Sequence, residues 1–97
     1  MKNIQEIQRN LSSLKDAMHN AYGVSSIEIF GSFVRGEQRE DSDIDVLVDF
    51  DRDVSLLDVS ALQVFLTEQL GAQIDVVLKR SVRKELKDRI FAEAVPV

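Results

Sequence analysis

Apolar residues recur along the chain at two different periods, and the switches between those periods outline the fold. Ile4, Ile7, Leu11, Leu14, Met18 and Tyr22 are spaced by three and four, which predicts an amphipathic helix over residues 4–22 with one buried stripe. Gly23 supplies its stop. The period then shortens toward two, and Val24 to Phe30 predicts a first strand. Ser32 to Arg35 reads as a short helical turn. Residues 36–42, Gly-Glu-Gln-Arg-Glu-Asp-Ser, hold no large apolar side chain and read as an exposed loop. Alternation returns at Asp43-Ile44-Asp45-Val46-Leu47-Val48, a second strand over 44–50. Ser55-Leu56-Leu57-Asp58 has the form of a capping box opening a helix to about Leu70, with Leu56, Val59, Leu62, Leu66 and Leu70 as its buried stripe and Gly71 as its stop. Gln73 to Leu78 predicts a third strand. From Ser81 onward, Val82, Leu86, Ile90 and Phe91 share one side of a last helix that covers the sheet, and Pro96 marks its limit.

The order helix, strand, turn, strand, helix, strand, helix predicts a single α/β domain over residues 1–97. Strands one and two, joined by a short turn and loop, run antiparallel. Strands two and three, joined through a whole helix, run parallel and begin at the same edge. That edge collects the chain's candidate chemistry. Ser32 leaves the first strand there, Asp43 and Asp45 enter the second, and Asp75 sits near the start of the third. Parity puts Asp75 on the face of Asp45, because Ile74, Val76 and Leu78 match Ile44, Val46 and Val48 on the opposite face.

Two like charges about 4 Å apart repel by about 4 kcal/mol at an effective dielectric near 20, so converging carboxylates call for a cation. Asp43 and Asp45 are therefore candidate metal ligands, although an isolated Asp-x-Asp also serves as a strand cap facing solvent. The Gly31-Ser32 turn just upstream favours the metal reading, since its backbone amides and hydroxyl suit a phosphate. Arg35 has two readings of equal standing: a bidentate phosphate donor, or a salt bridge to Asp41 or Asp43 that holds the loop. Asp49, Asp51 and Asp53 read as a solvated exit turn. His19, the only histidine, reads as a surface residue, and Tyr22 as packing.

Composition narrows the classes further. With 44% apolar residues in 97, the chain can bury a compact core. It has no cysteine, which excludes disulfides and thiolate metal sites. A net charge of −5 argues against a direct nucleic-acid interface. The first residues lack the layout of a signal peptide and no apolar run reaches membrane-spanning length, so a soluble cytoplasmic protein is expected.

Gly-Ser-x-x-Arg-Gly at residues 31–36, Ser-Asp-Ile-Asp at 42–45 and the later strand aspartate Asp75 resemble the nucleotidyltransferase superfamily typified by DNA polymerase β. The length looks like its minimal nucleotidyltransferases, antitoxins paired with HEPN-type toxins. The resemblance covers residues 24 to 95, with Val34 where a small residue is commoner. It implies a mixed three-stranded sheet in the order 1-2-3 flanked by helices, with two magnesium ions held by Asp43, Asp45 and Asp75. It implies phosphate binding by Gly31 and Ser32, and assistance by Asp75 in deprotonating the attacking hydroxyl. It further implies ATP as donor, transfer of AMP to a tyrosine of a helical HEPN-type toxin, and action as an antitoxin. A different class of reading is a binding module that neutralises its partner by occlusion with the acids idle. Transfer to an RNA end is disfavoured by the net charge. The first and last helices are candidate surfaces for a homo-oligomer.

Overall fold

The computed structural model describes residues 3–97. Helix α1 (Ile4–Ser13) is capped by Asn3, whose side chain accepts from the Glu6 amide at 2.9 Å. The single helix expected over 4–22 is in fact two, because α2 (Lys15–Tyr22) starts afresh after Leu14. The Ser13 hydroxyl donates back to the Asn10 carbonyl at 2.7 Å, and the Leu14 amide closes a tighter turn onto Leu11 at 3.0 Å. Such competition with the backbone ladder breaks or bends a helix. The buried stripe survives the break, and Ile7, Leu11 and Met18 are all fully buried.

Strands β1 (Val24–Phe30), β2 (Ile44–Phe50) and β3 (Ile74–Leu78) pair as their connections predict, β1 antiparallel to β2 and β2 parallel to β3. A fourth strand, β4 (Val95–Pro96), pairs antiparallel with β1 through Glu28 opposite Pro96 and Ile29 opposite Val95, so the sheet order is β3-β2-β1-β4. This corrects the expected three strands. Pro96 lies on an edge strand, where a missing N–H is tolerated, rather than at the end of a helix. Side-chain donors fasten this segment from the other layer: Gln8 Nε2 to the Pro96 carbonyl at 3.1 Å and Lys15 Nζ to that of Val97 at 3.2 Å.

One sheet face carries Ile27, Ile29, Ile44, Val46, Val48, Ile74 and Val76 into a single core with α1, α2 and α4 (Leu56–Leu70). The Ser55–Asp58 capping box opens α4 as expected, but Leu56 and Leu57 are 85% and 81% exposed. The first turn of α4 thus projects beyond the core, and its buried face is built by Leu62, Leu66 and Leu70 with Val59 partly covered. Tyr22 packs its ring against Phe65 with centroids 5.2 Å apart. The opposite sheet face presents Asp45, Leu47 and Asp49 of β2 and Asp75 and Val77 of β3, alternate positions to those in the core. Helix α3 (Ser32–Arg35) follows β1, and α5 (Lys84–Glu93) follows a single 3-10 turn at Lys79–Ser81. Among the described residues no helix is long and apolar enough to cross a membrane.

Two leucines of α4 test this division. Leu66→Ala should cost about 2–5 kcal/mol through lost burial and a residual cavity, whereas Leu57→Ala should change stability by no more than about 0.5 kcal/mol. Urea midpoints of the two variants measure the difference.

Candidate active site

The β2–β3 register sets the site. Asp45 is the direct partner of Asp75, bracketed by Ile44 opposite Ile74 and Val46 opposite Val76. Parallel neighbours lie about 4.8 Å apart, so the two carboxylates leave the sheet side by side on one face. On its other flank Asp45 pairs with Phe30, the last residue of β1, and the chain turns at Gly31 immediately beyond. Gly31 has φ 85° and ψ −153°, a conformation that L side chains rarely adopt. A Cβ there would also run into the Asp45 carboxylate. Asp43, exposed just ahead of β2, and Ser32, the first residue of α3, flank this point in sequence.

Between the carboxylate face of the sheet and α5 lies a cavity of about 430 Å³, lined by Gly31, Arg35, Asp45, Asp75, Arg89 and Glu93 among others. The structure therefore brings four of the six singled-out residues, Gly31, Arg35, Asp45 and Asp75, to one hollow. Ser32, next to Gly31, and Asp43, two residues before Asp45, are not among its lining residues. Burial pushes the Asp45 carboxyl up to about 6, and the charges of Asp75 and Asp43 add to the rise while Arg35 opposes it.

Arg35 pairs with neither Asp41 nor Asp43, the partners its salt-bridge reading proposed. Its Nε donates to Glu37 at 2.9 Å, and its Nη1 donates to both carboxylate oxygens of Glu93 at 3.1 Å. Glu37 lies two residues away on the same turn, whereas the loop that holds Asp41 leads off toward β2. Glu93 also accepts from the Gly31 amide at 2.6 Å. Sequence reasoning passed over Glu93. The available signal was its phase: Leu86, Ile90 and Glu93 follow the i, i+4, i+7 spacing of one helix face, so an acid continues an apolar stripe.

Asp49 is drawn out of this group by Arg80, which donates Nη2 to it at 3.0 Å and holds its carboxyl below the usual range. His19 is exposed, with Nε2 3.7 Å from Asp51. As for a metal, among the described residues no three acidic or histidine side chains stand close enough to hold an ion as they are placed. The donor set nevertheless fits a hard divalent cation such as magnesium, which takes carboxylate oxygens. Beyond the larger effect of burial, the charges of Asp75 and Asp43 raise the proton affinity of Asp45, and bound positive charge would relieve that repulsion.

The nucleotidyltransferase domain family matches residues 11–97. Protein adenylyltransferase MntA of Thermococcus cleftensis is 39% identical over 97 residues, spanning 100% of this chain and 98% of its own length. A solved structure provisionally assigned as a minimal nucleotidyltransferase superimposes with a TM-score of 0.79 at 33% identity, covering 99% of this chain and 97% of that one. A chain in the structure of a tri-AMPylated Shewanella oneidensis HEPN toxin in complex with an MNT antitoxin shares the fold, with a TM-score of 0.69 at 20% identity over 92% of this chain and 69% of that chain.

The two constraints on Asp45 and Gly31 are separately measurable. The folded state binds the Asp45 proton more tightly than the unfolded state, whose carboxyl titrates near the ordinary 3.8. That stabilisation is present at low pH and disappears as pH rises through about 6. In metal-free buffer, Asp45→Asn should match the wild type near pH 4, by rough analogy with a neutral acid, and become the more stable of the two above pH 6. Gly31→Ala should lower stability at every pH by about 1–3 kcal/mol from backbone strain alone. Denaturant titrations across this pH range read both effects.

Proposed function

We propose that this chain, which belongs to the nucleotidyltransferase domain family, moves AMP from ATP, with magnesium, to a tyrosine hydroxyl of a helical HEPN-type partner toxin and so silences it in the cytoplasm. The observation that carries this reading is the registered pair Asp45 and Asp75 lining one cavity together with Gly31 and Arg35, whose N–H groups are donors. That juxtaposes a place for positive charge with a place for phosphate. The relative named protein adenylyltransferase MntA supports AMP as the transferred group. The AMPylated HEPN toxin bound to an MNT antitoxin of the same fold supports the acceptor class.

In the proposed reaction the Gly31 amide, the Ser32 hydroxyl and the Arg35 guanidinium hold the phosphate oxygens and fix the α-phosphorus near the sheet edge. Asp43, Asp45 and Asp75 would hold magnesium, which when bound supplies Lewis-acid stabilisation of the charge that builds on the hydroxyl and on pyrophosphate. Asp75, exposed at the cavity wall, takes the proton as the tyrosine oxygen attacks. One phosphorus–oxygen bond forms to the tyrosine and the bond to pyrophosphate breaks, leaving an AMP–tyrosine phosphodiester. Asp45, the most enclosed of the three acids, keeps the array aligned against Gly31.

The test is α-labelled ATP incubated with magnesium, the protein and the helical protein encoded beside its gene. Label should appear on a tyrosine of the partner, fall by at least roughly 100-fold with Asp43→Ala, and vanish with EDTA. No label, or equal label with the variant, counts against transfer. Neutralisation of the partner by an Asp43, Asp45 and Asp75 triple Asp→Asn variant would point instead to occlusion.

A further inference from the structure

We propose that Glu93 is an anionic plug in the phosphate seat, holding the Gly31 amide and Arg35 until a triphosphate displaces it onto Arg89. This regulation rests on the nucleotide site proposed above. The geometry is that of one anion standing in for another. Glu93 Oε2 accepts from the Gly31 N–H at 2.6 Å, and both of its oxygens accept from Arg35 Nη1 at 3.1 Å. A planar pair of oxygens on a guanidinium and a backbone amide is how these donors take a phosphate as well as a carboxylate. Two anions cannot share the seat, since both compete for the same donor hydrogens and repel each other.

The placement is not a by-product of helix formation. Glu93 is the last residue of α5, where the negative end of the helix dipole disfavours an acid. Its side chain is only 16% exposed, so what holds the carboxylate there is the seat and not the helix. It also puts a third carboxylate on a cavity wall that already holds Asp45 and Asp75. A displaced Glu93 has a partner waiting. Arg89 lies four residues earlier on the same helix and lines the same cavity, and residues at that spacing are neighbours on a helix surface. Glu93 thus has two discrete resting places, one of which empties the seat.

Calorimetric titration of the wild type, Glu93→Gln and Arg89→Ala with magnesium-ATP, and separately with inorganic tripolyphosphate, tests the proposal. Glu93→Gln should bind both ligands about fivefold tighter or more, because the competent population no longer has to be released. Arg89→Ala should bind more weakly, and that loss should disappear when Glu93→Gln is combined with it. Wild-type binding that Glu93→Gln leaves equal or weaker overturns the plug while the nucleotide site stands. Failure of every form to bind either ligand overturns the site and the plug together. Should Glu93→Gln not fold, nuclear magnetic resonance of the wild type decides. The Gly31 amide and the Glu93 carboxyl should shift with one midpoint during the ATP titration, and movement of Gly31 alone overturns the plug.

Discussion

Asp45 can occupy its position only because residue 31 has no side chain. The carboxylate of a central strand presses against the backbone of the turn that leaves its neighbour, at a point where any Cβ would intrude. Everything else at the sheet edge is arranged around that approach. It brings the Gly31 amide within reach of the cavity, starts α3 at Ser32 and so aims Arg35 back over the same hollow. On the other side, the parallel register with β3 adds Asp75 at matching height. A shift of either register by one residue would turn the acids into the core and an aliphatic into the cavity, since side chains alternate with period two.

The same alternation separates stability from chemistry. The face carrying Ile44, Val46 and Val48 is sealed by three helices, while the face carrying Asp45 and Asp75 is covered only in part, by α5. Burial of Asp45 in that half-covered face raises its proton affinity at the expense of its charged form. The core supplies the stability against which a strained site of this kind is held. An acidic cluster on a fully solvated strand would be less perturbed, and on a fully buried one would stay protonated.

Strand parity made much of this legible in advance. Asp45 and Asp75 share one face because their neighbours Ile44, Val46, Ile74 and Val76 must fill the other, and the pairing follows that parity. The Ser55–Asp58 cap was equally readable, because a capping box is local chemistry. Tertiary relations were not readable. Strand β4 is two residues long and includes a proline, too short for any period to register. Leu56 has the spacing of the stripe's first member, but it is exposed because the first turn of α4 lies beyond the core. For Arg35, sequence proximity points to Asp41 or Asp43. Arg35 takes Glu37, which is also near, and Glu93, 58 residues away, a contact that exists only once α5 has folded over the cavity.

Glu93 shows how tightly the cavity is wired to the rest of the domain. From Gly31 a hydrogen bond leads to Glu93 at the end of α5, the chain continues through Ala94 into β4, and the β4–β1 pairing leads back to the strand that ends just before Gly31. The loop joins α5 to the sheet and is further held by Gln8 and Lys15 from the helices on the opposite sheet face. Motion of α5 as a rigid lid would have to break the β4 pairing and both of those bonds at once. Rotation of one side chain breaks only its own hydrogen bonds to Gly31 and Arg35. Glu93 can therefore leave Gly31 and Arg35 by turning its side chain alone, with the backbone of the helix and edge strand kept in place.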